Sequence, residues 1–521
     1  MGDITQPLIP MARAGHAVLG GVALLTLGPL LAVALTAGGV GGLRAADWGA
    51  IRFTLLQALL SAGLSVGLAI PVARALVRRH FPLRAIFVTL LGAPFLLPVI
   101  VAVMGLLAVF GRAGILSDAL AFLGLPRLEI FGLEGVLLAH VFLNLPLAVR
   151  LLLAGWQRIP AERMRLASAL GFGRRAMWLH FELPLLRETV PGAFAAIFLI
   201  CTTSFAVALI LGGGPRATTV ELAIFQAFRF DFDLGRAAAL GVAQVGICLV
   251  AGLAVTRFAL LRDMGTGLDR RLTDWPGLGM AARIADAVVI ALVALFLLAP
   301  ISILAARGLP ELWNLPPSVW QAALRSLVLA LASAVLAVAS ALAVAAMMVS
   351  RPTRALADGV AFLGLAVSPL VIGTGLFVIL RPWVSPDAVA LPVTGLVNAL
   401  VSLPFILRGL RPALADAVQS QGRLAVSLGL SRFETWRLAI LPRLRRAMGF
   451  GAGLAAALSA GDLGVVALFA LGDRATLPLE MYRLLGTYRT DAAAGAALLL
   501  MALSLGLFWA FDRWGRSGDR A

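Results

Sequence analysis

Long apolar stretches separated by short polar segments run from one end of the chain to the other. Most reach about 20 residues, the length that an α-helix needs to cross the hydrocarbon core of a bilayer. Charged residues and clusters of proline or glycine divide them. The predicted spans lie at 15–37, 51–77, 86–110, 133–155, 188–211, 236–256, 284–306, 320–349, 356–380, 389–410, 447–470 and 491–511. This pattern predicts an all-α, polytopic membrane protein with about twelve transmembrane helices.

Composition agrees with a membrane protein, because 61% of the 521 residues are hydrophobic and 13% are charged. The net charge is +17, and every one of the 43 basic residues is an arginine. These arginines concentrate in alternate loops and at the termini, and membrane proteins keep such loops in the cytoplasm. The bias predicts a multi-pass membrane protein, surrounded by lipid, with both termini cytoplasmic. Nucleic acid is not an expected partner, since the charge is not gathered on a soluble face.

Cysteine and histidine give no sign of a disulfide or a metal site. Cys201 and Cys248 both fall inside apolar stretches, and the four histidines are scattered without metal-ligand spacing. The first apolar stretch has a second interpretation, as a signal peptide. Its length and the many later spans favour a retained first helix.

The chain repeats itself at a constant separation of 258 positions. The matching pairs include Asn144 and Ser402, Pro146 and Pro404, Trp178 and Trp436, and Asp233 and Asp491. Further upstream, segments 48–62 and 320–334 match at a separation of 272. The repeat predicts two six-helix halves in parallel orientation, 1–262 and 263–521, related by a pseudo-twofold axis along the membrane normal. A transport path would lie on that axis.

Two arginine-rich loops, 158–186 and 416–444, occupy equivalent places between the fourth and fifth predicted span of each half. In each loop, glycine is expected to stop a short helix, and proline to end a second, amphipathic helix at the membrane surface. Leucine and alanine at helical spacing would form an apolar knob that fits a groove on another protein. The residues are Leu166, Ala167, Leu170, Gly171 and Pro184 in the first loop, and Leu424, Ala425, Leu428, Gly429 and Pro442 in the second. Interfacial helices anchored by arginine are the alternative, and the presence of two matched copies argues against it.

These loops resemble the coupling loops of permease subunits from binding-protein-dependent ABC importers. They depart from the motif of that family where its Glu-Ala-Ala would stand, because Arg165 and Arg423 replace the acidic residue. Segments 137–153, 211–238 and 458–491 are similar to the permeases of thiamine importers within that family. Ferric-iron importer permeases, which share the fused double-half plan, are the nearest rivals.

The resemblance implies a transport subunit of a bacterial inner membrane rather than an enzyme. Its partners would be two copies of a cytoplasmic ATPase and a periplasmic substrate-binding protein. Its cargo would be thiamine and its phosphate esters, moved into the cytoplasm by alternating access. A phosphate-binding G-x-x-x-x-G-K-[ST] loop needs a lysine, and this chain has none, so ATP with magnesium is expected on the partner ATPase. The rival from another class is an ion-coupled secondary transporter, which would need several acids within the membrane.

Asp462 is the acidic residue predicted to lie well inside a span. An ionised carboxylate there costs about 2.5–3.5 kcal/mol unless it is paired or faces water. Ser204 occupies the matching place in the first half, and Thr203 precedes it. In a translocation path, the carboxylate would attract the cationic thiazolium of thiamine while a hydroxyl offers a hydrogen bond. The alternative is a structural carboxylate paired with an arginine or a backbone group.

Overall fold

The computed structural model describes residues 9–37, 43–79, 96–157, 161–214, 217–258, 279–350, 367–470 and 474–517, with a few single positions between these ranges. Every regular element within them is a helix. Eleven helical stretches of the described chain are long and apolar enough to cross a membrane. This confirms the predicted all-α, polytopic class.

The helices fall into two parts of the chain, the N-terminal half up to residue 258 and the C-terminal half from residue 279. The N-terminal half contains α1 (Ile9–Thr36), α2 (Ala45–Arg78), α3 (Val99–Phe110), α4 (Ile115–Phe122), α5 (Leu133–Trp156), α6 (Ala161–Ala169), α7 (Arg174–Met177), a π-helical turn (Trp178–Glu182), α8 (Leu183–Thr202), α9 (Ala206–Leu211), α10 (Val220–Arg229) and α11 (Leu234–Phe258). The C-terminal half contains α12 (Met280–Glu311), a 3-10 turn (Leu312–Asn314), α13 (Pro317–Ser350), α14 (Pro369–Leu380), α15 (Pro386–Ser427), α16 (Arg432–Glu434), a second π-helical turn (Thr435–Ile440), α17 (Leu441–Ala460), α18 (Gly464–Phe469), α19 (Leu477–Gly486) and α20 (Thr490–Arg516).

Three features of the predicted organisation fall partly or wholly on residues that are not described. The ninth predicted span, 356–380, corresponds to α14, which has 12 residues, and positions 356–366 lie outside the described residues. The third predicted span, from residue 86, is described as a continuous helix only from Val99 onward. The predicted boundary between 262 and 263 also lies outside the described residues.

Helix α15 is longer than the sequence pattern predicts. It runs for 42 residues, so it continues beyond the predicted span 389–410 and into the loop predicted at 416–444. The residues after 410 are mostly alanine, leucine, arginine and glutamine, which are good helix formers. Hydrophobicity marks where a helix leaves the membrane, whereas helix propensity decides where it ends.

The two halves are interlocked through their first helices. Helices α2, α5, α8 and α11 pack together in the N-terminal half, and α13, α15, α17 and α20 pack together in the C-terminal half. Helix α1 crosses over to pack on α13 and α14, and α12 crosses over to pack on α2 and α3. At these crossings Gly15 and Gly105 lie against the backbone of the partner helix, where a Cβ atom would collide with a carbonyl oxygen.

Both arginine-rich loops lie at the same end of the bundle, which we call the loop face. The π turn within the first loop contacts the end of α2. An ion pair of Arg79 with Asp286, 2.7 Å long, joins the same end of α2 to the start of α12. Gly308, near the end of α12, packs on the start of α20, and Gly515, at the end of α20, packs on the start of α17. Since α17 follows the second loop, this loop shares a face with the first.

Aligned hydroxyl residues make the same contact in both halves. Thr54 Oγ1 accepts a hydrogen bond from the N–H of Val220, the first residue of α10, at 2.8 Å. Ser326 Oγ accepts one from the N–H of Leu477, the first residue of α19, also at 2.8 Å. The first N–H groups of a helix lack partners within it, so each hydroxyl satisfies one of them. The repeated sequence therefore builds repeated contacts.

Candidate functional site

The helix before each glycine, short in the first loop and the end of the long α15 in the second, is closed by the same hydrogen bonds. In the first loop, the N–H of Gly171 donates to the carbonyl of Ser168 at 3.1 Å, and the N–H of Phe172 donates to that of Ala167 at 2.9 Å. The equivalent distances at Gly429 and the residue after it are 3.1 and 3.0 Å. This is the Schellman arrangement, in which the residue after the helix adopts a left-handed backbone that favours glycine. The predicted glycine stops are confirmed, with φ of +66° at Gly171 and +68° at Gly429.

Each glycine stop is preceded by exposed apolar side chains, most of which are leucines. In the helix turns just before the two glycines, the leucines that are more than half exposed are Leu166, Leu170, Leu424 and Leu428, and Leu438 is a further exposed leucine later in the second loop. Ala167 and Ala425 are 2% exposed and lie beneath them, and Ala167 packs against Met164 and Met177. Each loop therefore presents a pair of leucines on a packed base.

The two prolines lie differently from the sequence prediction. Pro184 and Pro442 were expected to end a helix, and this expectation is wrong, because each stands in the first turn of a helix that continues into the membrane. A π-helical turn precedes each proline, and the residue before the proline donates its N–H to the carbonyl of Trp178 or Trp436, five positions earlier. Proline lacks an N–H and clashes with the carbonyl four residues earlier in an α-helix. The wider π turn removes this conflict without ending the helix.

The predicted path residues lie at breaks in two equivalent helices. Helix α8 ends at Thr202 and α9 begins at Ala206, so Thr203 and Ser204 fall between them. Helix α17 likewise ends at residue 460 and α18 begins at 464, so Asp462 falls in the second break. The predicted spans 188–211 and 447–470 are therefore each interrupted. Helix breaks expose backbone groups, which within a membrane are tolerated where they are buried in protein or line a cavity.

A chain of polar side chains leads to the first break. Ser61 Oγ on α2 lies 3.0 Å from His140 Nδ1 on α5, and His140 Nε2 lies 2.8 Å from Ser204 Oγ. Ser61 and His140 are buried, and Ser204 is partly exposed. A neutral imidazole donates from one ring nitrogen and accepts at the other, so it can serve both hydroxyls at once.

A matching chain leads to the second break, built from different residues. Asn398 Nδ2 donates to Ser459 Oγ at 3.1 Å, and Ser459 Oγ donates to Ser333 Oγ at 2.9 Å. Asn398 also interacts with the carboxylate of Asp462. By the repeat, Ser333 matches the serine on α2, Asn398 matches His140, and Asp462 matches Ser204. The two breaks are therefore equivalent in position and different in charge.

The carboxylate of Asp462 is only partly satisfied. Its Oδ1 accepts a hydrogen bond from the N–H of Gly464 at 3.3 Å, and its Oδ2 has no hydrogen-bond partner within the described chain. Nor does any described arginine pair with it. Thr203 Oγ1 donates to the carbonyl of Ile200 in its own helix, at 3.2 Å. Further backbone N–H groups at the start of α18 also interact with the Asp462 carboxylate, so its Oδ2 is the atom with capacity for a cation or another donor.

The breaks lie where the two halves meet. Gly461 packs on Pro98 of the N-terminal half, so closely that a Cβ atom would lie 2.9 Å from the proline Cβ. Gly464 faces the ring of Phe205 across the same boundary. The carboxylate and hydroxyl groups at the breaks therefore lie where the two halves contact each other. A movement of one half relative to the other would change the surroundings of these groups.

Sequence reasoning did not identify His140 and Asn398. Both are polar residues in apolar helices, and they are separated by the 258 positions of the repeat. This repeated spacing could have identified both residues from the sequence. Their contacts with the helix breaks could not be predicted, because the breaks interrupt spans that look continuous in hydrophobicity.

The two halves span the membrane and interlock, and each contributes a helix break and a loop at the same face. Together these features define a multi-pass membrane transport protein of the permease class. No protein-family model matches the chain. The chain is 40% identical over 524 residues, 98% of its length and 96% of the relative, to the thiamine transport system permease protein ThiP of Brucella abortus (strain 2308). It is 39% identical over 482 residues, 89% of both chains, to the protein of that name in Escherichia coli (strain K12). Identity to that of Haemophilus influenzae is 32% over 484 residues, 90% of this chain and 89% of the relative.

The chain therefore belongs to the family of thiamine transport system permease proteins. This confirms the resemblance seen in the sequence. It also confirms that the protein is a transport protein rather than an enzyme.

Proposed function

We propose that the chain is the transmembrane permease subunit of an ABC importer, and that it moves thiamine and its phosphate esters from the periplasm to the cytoplasm. The observation that carries this proposal is the pair of matched, glycine-capped loops at one face, each presenting two exposed leucines. Two matched surfaces suit two copies of one partner. The names of the relatives support thiamine as the cargo.

The loop face is the cytoplasmic face of a bacterial inner membrane in this proposal. Arginine-rich loops are retained in the cytoplasm, and the first loop alone carries Arg163, Arg165, Arg174 and Arg175. Both termini are then cytoplasmic, because the first and last spans begin and end at this face. The periplasmic substrate-binding protein docks on the opposite face.

Two copies of a cytoplasmic ATPase bind the loops and hold ATP with its magnesium ion. The side chains of Leu166 and Leu170 enter a groove on one copy, and those of Leu424 and Leu428 enter the same groove on the other. Closure of the ATPase pair on ATP moves the loops, and residues 1–262 and 263–521 rock against each other. The π turns join each loop to a membrane helix, so the movement reaches the helix breaks.

Asp462, Ser204 and Thr203 line the translocation path at these breaks. The carboxylate of Asp462 attracts the cationic thiazolium of thiamine as it enters from the binding protein. Ser204, held by His140, offers a hydroxyl from the other side. This role is supported by the Oδ2 atom of Asp462, which has no hydrogen-bond partner within the described chain. The structural alternative is supported by the backbone N–H groups at the start of α18, which interact with the same carboxylate.

Uptake by cells tests the proposal. A bacterial strain that can neither make nor import thiamine is given the chain with the ATPase and binding protein encoded in the same genome. Uptake of labelled thiamine should depend on all three genes, and labelled ferric iron should not be taken up. Iron uptake, or no thiamine uptake by an assembled complex, would contradict the proposed cargo.

A further inference from the structure

A buried carboxylate joins the first loop to α2. Glu182 lies on the π turn within the first loop, and its side chain is fully buried. Arg74 Nε lies 2.6 Å from one carboxylate oxygen, and Arg78 Nη2 lies 2.6 Å from the other. The Arg74 guanidinium also lies over the ring of Trp178, 5.1 Å from its centre. We call Arg74, Arg78 and Glu182 the Glu182 clamp.

At the matching positions of the second half, all of which are described, the residues of the Glu182 clamp have no ionic equivalents. The position that matches Glu182 is Ile440, which is fully buried. The positions that match the two arginines are Ala346 and Ser350 near the end of α13. The same place in the fold is therefore ionic in one half and uncharged in the other.

The two loops also differ in how the chain enters them. In the second half, α15 runs without interruption from the membrane to Ser427, so the loop helix is an extension of a membrane helix. In the first half, α5 ends at Trp156 and a separate helix, α6, begins at Ala161. The second loop additionally has a capping box, in which Ser431 and Glu434 bond each other's backbone N–H groups. The first loop lacks the helical connection that holds the second.

Helix α2 connects the Glu182 clamp with the first helix break. Ser61 on this helix contacts His140, which holds Ser204, and Gln57 Nε2 donates to the carbonyl of Cys201 at 2.8 Å. A displacement of α2 along its axis would therefore shift the groups around the break.

Stability alone does not explain a buried cluster of this kind. The cost of removing charges from water offsets much of their attraction, and uncharged side chains of suitable size are often as stable in such places. The second half shows that this fold accepts uncharged residues there. A hydrogen-bonded ion pair fixes one relative position better than an apolar contact does, because a shift of about 1 Å would break the hydrogen bond that Arg78 Nη2 donates to Glu182 Oε1.

We propose that the Glu182 clamp is a positioning device that makes the first loop and α2 move as one body, a task that the continuous α15 performs for the second loop. The proposal rests on the proposed function in that the loops receive movement from an ATPase. The three residues do not touch cargo, and they act through α2 on the helix break.

The test replaces the clamp with the residues of the other half, as the triple variant Arg74→Ala, Arg78→Ser and Glu182→Ile. Asp512→Asn serves as the control, since it removes the 2.7 Å ion pair with Arg516 at the loop-face end of α20. Each permease is purified with its ATPase and binding protein and reconstituted in vesicles. We expect the triple variant to assemble normally and the thiamine transported per ATP hydrolysed to fall about tenfold, with the control unchanged. An unchanged ratio in the triple variant would overturn the proposal, and failure to assemble would overturn it by assigning the clamp to folding.

A second measurement needs no ATPase. Spin labels are attached through Arg165→Cys and Leu64→Cys in the first half, and through the aligned pair Arg423→Cys and Leu336→Cys in the second; all four positions are exposed. The native cysteines are buried and should not react. In the triple variant of the permease alone, the distance distribution should broaden for the first pair and stay unchanged for the second. If the distance distribution of the first pair stays narrow in the triple variant, the proposed role of the Glu182 clamp is contradicted. If the wild-type chain does not bind ATPase, only the proposed function is contradicted.

Discussion

Gly171 and Gly429 adopt almost the same backbone conformation, with φ of +66° and +68°, and close the same pair of hydrogen bonds. They are 258 positions apart and belong to different halves. Side chains around them differ, since the residue after the glycine is Phe172 in one loop and Leu430 in the other. What the two loops share is the shape of the turn that holds their exposed leucines, and this shape can be tested.

Substitution of Gly171 by valine should weaken ATPase binding. A left-handed backbone costs about 1–2 kcal/mol for a residue with a Cβ atom, and a β-branched side chain adds to it. The loop should relax to another conformation, so recovery of co-purified ATPase and thiamine uptake should both fall. Gly173→Val is the matched control, because Gly173 has a φ of −79° and open space around its Cβ position. If the Gly171 variant binds as much ATPase and takes up as much thiamine as the wild type, the first loop does not couple the permease to the ATPase.

Substitution of Leu170 or Leu428 by aspartate should abolish ATPase binding at that loop without unfolding the permease. Both leucines are exposed, and exposed substitutions usually change stability by no more than about 0.5 kcal/mol. A buried carboxylate in the groove of the partner would be costly. Co-purification of ATPase and the melting temperature of the permease are measured together. A variant that keeps its melting temperature and its ATPase would exclude these leucines from the interface.

Much of this architecture follows from the sequence. The span pattern, the repeat and the glycine stops of the loops could all be predicted from residue spacing, because hydrophobicity and backbone conformation leave direct marks on composition. Asp462 was identified as a candidate because a charge within a membrane is costly. The π turns were not predicted, since Pro184 and Pro442 are typical of helix ends and only tertiary packing shows the helix continuing. The Glu182 clamp could not be predicted either, because a glutamate in an arginine-rich loop is expected to be exposed to solvent, and only tertiary packing buries it.

Changing Asp462 to asparagine should reduce thiamine uptake and leave assembly intact. The amide keeps the shape and the hydrogen bond from Gly464 but removes the charge that attracts the thiazolium. Expression, ATPase co-purification and initial uptake rate are measured on the same preparations. Poor assembly would indicate the structural role instead. Normal assembly with normal uptake would exclude any role that depends on charge.

Removal of the His140 side chain should destabilise the first helix break. His140→Ala leaves Ser61 and Ser204 without their partner, and an unsatisfied buried polar group costs about 1–3 kcal/mol. Adding Ser61→Ala should cost less than it does alone in the wild type, because the contact between Ser61 and His140 has already been removed. Thermal unfolding of the single and double variants in detergent gives the comparison. Additive effects would show that the two residues act independently.

This chain should transport only when ATPase subunits drive it through the two loops. The most direct measurement is accumulation of labelled thiamine in vesicles that contain the purified permease, with and without its ATPase and binding protein. With both partners and ATP, thiamine should accumulate, and the permease alone should neither hydrolyse ATP nor accumulate thiamine under a proton or sodium gradient. Gradient-driven accumulation by the permease alone would contradict the account and identify an ion-coupled secondary transporter.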